Sequence, residues 1–116
     1  MKSFNEVQKG DFIYSVHIDM MRQSVDIRRQ VVKKVFVSNH ILFEDGEQVA
    51  FTNQYANSDI MTWCGVMYFT NPAMAKRQVQ IEYRRMYETT ELMISKFRAE
   101  LELWGENMRN WIENNK

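Results

Sequence analysis

The chain has 116 residues, 15 Lys plus Arg against 15 Asp plus Glu, 45% hydrophobic residues and one cysteine. That length allows one globular domain with a modest core, and no stretch is basic enough to announce nucleic acid by itself. A single cysteine excludes an internal disulfide or a cysteine-based metal cluster, and the longest apolar run falls far short of the ~18 residues that span a bilayer.

The polar start, Met1 to Asp11, lacks the apolar stretch of a signal peptide, so a soluble, cytoplasmic protein with no membrane association is expected. Cys64, between Trp63 and Gly65, reads as a small buried hydrophobe. The zero net charge hides blocks. Residues 1–43 carry seven basic and four acidic side chains, and residues 44–59 carry four acidic and no basic ones. Residues 76–87 carry four basic and one acidic, and residues 88–116 four basic and six acidic.

Phe12, Tyr14, Val16 and Ile18 alternate with Ile13, Ser15, His17 and Asp19, the period of a strand with one buried face, opened by Gly10-Asp11. Val25, Ile27, Val31, Val35 and Val37 share one parity and predict a second, longer strand. Arg29 and Lys33 interrupt it, and a strand of that length bends or carries a bulge. Ile41-Leu42-Phe43, Glu44-Asp45-Gly46-Glu47 and Val49-Ala50-Phe51 predict a hairpin, because Asp-Gly tolerates the positive φ angles of a type I′ turn. Residues 53–62 are polar and without period, which predicts a loop before a last strand over 65–69.

Four or five short antiparallel strands within residues 1–71 favour a small barrel or curled sheet that removes its own edges. Lys9-Gly10-Asp11-Phe12-Ile13-Tyr14, Ile41-Leu42-Phe43-Glu44-Asp45-Gly46 and Met67-Tyr68-Phe69-Thr70-Asn71 resemble the corresponding segments of small SH3-like β-barrel proteins of bacteria and their phages. The resemblance covers residues 1–75. It implies a binding module more than an enzyme, and it names no ligand.

At residue 71 the pattern changes. Thr70 or Asn71 can cap a helix whose first residue is Pro72, where the missing N–H costs nothing. No further proline follows, so a helix of 43 residues, about 64 Å long, is expected from Pro72 to Asn114. The fold class is therefore α+β, a small barrel followed by one long C-terminal helix. A module of ~70 residues is only about 28 Å across, so an unbroken helix overhangs it.

Val79, Tyr83 and Met86 suit packing on the β module, which assigns residues 72–86 to it. Beyond them, Tyr87, Thr90, Ile94, Phe97, Leu101, Trp104, Met108 and Trp111 follow 3,4 spacing without a slip, a heptad stripe that Met93 and Leu92 broaden. Residues 87–111 are therefore expected to form a coiled-coil-like association segment. Its interface residues would be Tyr87, Ile94, Phe97, Leu101, Trp104, Met108 and Trp111, facing a second copy or a partner protein. The alternative is that the helix breaks at Thr89-Thr90 or Gly105 and folds back on the barrel. Two bulky tryptophans and little charge pairing favour an antiparallel bundle or crossed-helix dimer over a parallel zipper.

Catalysis finds little support. His17 and Asp19 share a strand face, yet no nucleophile stands at a recognisable spacing, and neither His40 nor the scattered glycines suggest a metal or phosphate site. No enzyme activity, cofactor or metal is expected. Arg28, Arg29, Lys33, Lys34, Lys76, Arg77, Arg84 and Arg85 would form a patch for nucleic acid or an acidic partner if the helix start lay beside the second strand. Tyr55 or Trp63 could then stack on bases. The expected function is a non-enzymatic protein-binding or assembly module, a homo-oligomer through its helix, with a nucleic-acid-binding regulator as the alternative. Nine methionines and nine asparagines suggest an AT-rich genome. With the barrel resemblance this points to a phage or mobile-element accessory or host-complex inhibitor, in the host cytoplasm or the virion.

Overall fold

A computed structural model describes residues 2–116. Residues 12–114 hold six strands and one long helix: β1 (Phe12–Asp19), β2 (Ser24–Val35), β3 (His40–Phe43), β4 (Gln48–Ala50), β5 (Ile60–Trp63), β6 (Val66–Phe69) and α1 (Pro72–Asn114). The strands form one antiparallel sheet in the order β4-β3-β2-β1-β6-β5. The sheet curls until it is nearly closed. Phe43 of β3 and Tyr68 of β6 stack at 6.4 Å between ring centroids although two strands separate them in the order.

β2 is the strand that both halves of the sheet share. It pairs with β1 from Ser24 to Val31, then with β3 from Val32 onward, and the register slips between Val32 and Lys34. That bulge is the bend expected from the strand's length, and it turns the sheet from one half into the other.

The hairpin over residues 40–50 forms where the sequence predicts it, but with a different turn. Only Gly46 has positive φ there, so Asp45 and Gly46 do not form the expected type I′ pair. Gly46 N–H donates to Phe43 O and Phe43 N–H to Glu47 O, the pattern of a type I turn closed by a left-handed glycine. Asp45 prefers this arrangement because its carboxylate accepts the Glu47 N–H at 2.9 Å.

A strand sits where a loop is expected. Ile60–Trp63 pairs with β6 through a two-residue turn, Cys64-Gly65, and both turn residues have positive φ. This is the type I′ geometry, so the sheet has six strands rather than four or five. Cys64 is exposed at the turn and is not a buried hydrophobe.

Both faces of β1 are used, against the expectation of one buried face. Ile13 and fully buried Ser15 look into the barrel, with Phe4, Val7, Val32, Ile41, Phe43, Val49, Phe51, Met61 and Tyr68. Val16, Val25 and Phe69 are buried on the opposite face, as their cross-strand registers require. The first turns of α1 belong to the same compact unit, which ends at Tyr83.

Asn71 starts that helix by accepting the Ala73 N–H on its side-chain oxygen at 2.9 Å. Ala75 and Glu82, two turns apart on one face, are buried. Glu82 receives the Gln78 amide at 2.8 Å, and the Tyr83 hydroxyl accepts the Val25 N–H at 3.0 Å, tying helix to sheet.

Candidate functional site

From Arg84 to Lys116 the chain forms a second unit, and none of its side chains is buried. The helix does not break at Thr89-Thr90 or at Gly105. Thr90 instead donates its hydroxyl to the Met86 carbonyl at 2.8 Å, which satisfies the hydroxyl within the helix and leaves its methyl to face outward. The seven predicted interface residues, Tyr87, Ile94, Phe97, Leu101, Trp104, Met108 and Trp111, are 46–73% exposed. They lie on one face because a 3,4 spacing tracks the helical repeat.

A helix turns about 100° per residue, which sets Met93 about 60° from the centre of that seam and Leu92 about 160° from it. Leu92 therefore does not broaden the stripe. It shares the rear of the helix with Leu103, eleven residues on. These two exposed leucines stand among Lys96, Ala99 and Glu106 and form no second seam. Lys96 and Glu100 approach to 4.0 Å on the flank, worth a few tenths of a kcal/mol.

The basic residues are divided among different surfaces. Neighbouring strand residues face opposite ways, so Arg28 and Arg29 cannot share a face of β2. Arg29 lies over the Phe12 ring at 4.5 Å, and Lys34 over the Phe36 ring at 4.8 Å. Arg28 pairs with Ser15 and so shares the inner-face parity, and its charge is felt at Tyr68 and at His17. Lys33, Lys76 and Arg77 are exposed in the first unit, and Arg84 and Arg85 in the second. Of the aromatics proposed for base stacking, Trp63 is exposed, whereas Tyr55 packs against the barrel core.

The inner face also assembles a polar cluster that sequence reasoning saw only in part. His17 does not pair with Asp19, whose carboxylate accepts the Met21 and Arg22 N–H groups of its own turn at 3.1 Å each. His17 Nε2 instead shares a 2.8 Å hydrogen bond with Ser15 Oγ, two residues back on the same face. Burial, then the nearby Arg28 charge, hold the His17 imidazole below its usual pKa, against the opposing pull of Glu47 and Asp26. Gln30 is buried because its amide donates to Asp45 and Glu47, at 2.9 Å each. Burial, followed by Glu47, raises the Tyr68 phenol.

The Ser15 hydroxyl is fully enclosed, so the pair can be reached only from the imidazole side. Every buried side-chain polar atom among the described residues has a partner. The cluster consists of two satisfied hydrogen-bonded groups, Ser15–His17 and Gln30–Asp45–Glu47. Its signal in the sequence was the Ser-x-His parity on β1, which places both side chains on one side.

Among the described residues no helix is long and apolar enough to cross a membrane. Comparisons with protein-family models, with curated proteins and with solved structures find no match.

Proposed function

We propose that the chain is a non-enzymatic assembly module that associates with itself through the helical segment Tyr87–Trp111. One observation carries this reading: seven large apolar side chains at heptad spacing stand 46–73% exposed on a segment that buries none of its residues. Single exposed leucines are ordinary on a protein surface, but a continuous apolar stripe of this length marks an interaction surface. Covering one such side chain contributes roughly 1.5 to 3 kcal/mol, so the stripe favours a covered state strongly.

The curled sheet then serves as the recognition surface for a protein partner. An accessory or inhibitor that docks on a larger complex fits this division, and the resemblance to phage and bacterial barrel proteins supports that role.

Sedimentation of wild type and of Phe97→Glu with Trp104→Glu, across a wide concentration range, tests the association. In a pair of identical chains the double variant removes four central aromatics, at about 2 kcal/mol each, which weakens association about a millionfold. A wild type that stays monomeric at every concentration overturns the proposal.

A further inference from the structure

We infer that the partner of the seam is a second copy of this chain lying antiparallel, with the two-fold axis crossing the seam at the level of Ala99. This rests on the self-association just proposed and adds its orientation and register.

In an antiparallel pair each a-type position meets a d-type position of the other helix. With the axis at Ala99, Ile94 faces Trp104 of the second copy and Leu101 faces Phe97, while Tyr87 faces Trp111 and Thr90 faces Met108. All eight seam positions are covered. The four central layers each join one aromatic ring to one branched aliphatic chain. The Thr90 hydroxyl is already held by Met86, so a methyl is what meets Met108.

The competing arrangements do worse. A parallel pair sets like against like, so wide Phe97, Trp104 and Trp111 layers would alternate with narrow Ile94, Leu101 and Met108 layers. Helix separation follows the side chains at the contact, and one straight pair cannot satisfy both widths. An antiparallel pair shifted by one heptad leaves either Tyr87 and Thr90 or Met108 and Trp111 uncovered.

The area is sufficient as well. If each of the seven apolar seam side chains loses roughly 100 Å², the pair buries roughly 1,400 Å² in all, within the range of stable, specific interfaces. The axis also brings Arg98 towards Arg98 of the second copy, and Glu100 towards Glu100. Glu100 already has Lys96 beside it at 4.0 Å, and exposed like-charge contacts are small against an apolar seam.

Crosslinking separates these geometries. In a Cys64→Asn background, which removes the exposed native thiol, Thr90→Cys and Met108→Cys are made separately and also co-expressed with distinguishable tags. A short bis-maleimide should join Thr90→Cys to Met108→Cys in the mixed sample and join neither variant to itself. In the proposed register like positions stand about 27 Å apart along the axis. Self-crosslinking of either single variant shows a parallel pair and overturns the inference. Failure of all samples to crosslink, while sedimentation still reports dimers, also overturns it but leaves the self-association standing. Monomers throughout remove both.

Discussion

Replacing Tyr83 with Phe deletes one oxygen and tests how the helix is held to the sheet. β3 pairs with β2 only from Val32 onward, so near Val25 that edge of β2 has no strand to accept its amide. The Tyr83 hydroxyl accepts it instead, at 3.0 Å. Val25 is buried, so Phe leaves an N–H with nothing to bond, a loss of about 1 to 3 kcal/mol. Tyr83 itself is 44% exposed, which lets some water reach the gap and favours the lower end, about 1 kcal/mol. With a urea m-value near 1 kcal/mol/M for a unit of this size, the midpoint should fall by about 1 M at unchanged slope. The comparison belongs in the Phe97→Glu, Trp104→Glu background, where association does not contribute to stability. A midpoint shift below about 0.2 M would refute the anchoring role, because the amide would then be hydrated in the native state.

Two further outcomes follow from the first unit. The Cys64 thiol should react with iodoacetamide in the native protein at the rate of the unfolded chain, and Cys64→Asn should be neutral or stabilising by about 0.5 kcal/mol, since Asn tolerates positive φ more readily. Protection of the thiol would contradict its place in the turn. His17, with its imidazole held below the usual value, binds fewer protons folded than unfolded in the window between those two values. Stability should therefore rise with pH through that window and fall as pH drops through it. His17→Gln should flatten the profile, and a wild-type profile already flat there would show that the imidazole is not desolvated.

The parts of the fold legible in the sequence are those whose burial is one-sided or whose turns use common residues. Asn71-Pro72 marked the helix start because capping and proline chemistry are local. The bulge in β2 was legible from length and from the charges at Arg29 and Lys33. β5 was not, because Met61 alone among its four residues is buried and a Cys-Gly pair does not look like a type I′ turn. The second buried face of β1 was also hidden. Val16 is buried on the face away from the barrel core, and an alternating pattern points to only one covered side. Of the candidate site, the apolar stripe was legible as a pattern because heptad spacing within one helix is local, and its residues are exposed. The Gln30 contacts to Asp45 and Glu47 were not, since they join β2 to the Asp45 turn through long-range pairing, and the Ser15–His17 bond was legible only as a shared strand face.

The two parts of α1 draw their stability from different sources. Up to Tyr83 the helix is fixed by burial of Ala75 and Glu82 and by the Val25 amide. From Arg84 on, no side chain is buried, so the burial that fixes the first turns is missing. The local terms are weak. Lys96–Glu100 and Glu113–Lys116 add a few tenths of a kcal/mol each, while Thr89, Thr90, Gly105 and the asparagines at 107, 110 and 114 have low helix propensity. Helices in globular proteins are held mainly by packing of their apolar face, and under the proposed function that packing comes from association. Helix content should therefore rise with protein concentration, and Phe97→Glu with Trp104→Glu should keep the barrel's urea midpoint while losing ellipticity. Ellipticity that is the same in dilute and concentrated wild type, and unchanged in the variant, would mean that residues 84–114 hold their helix alone. Exposure of the seam would then no longer imply that the folded helix requires a partner.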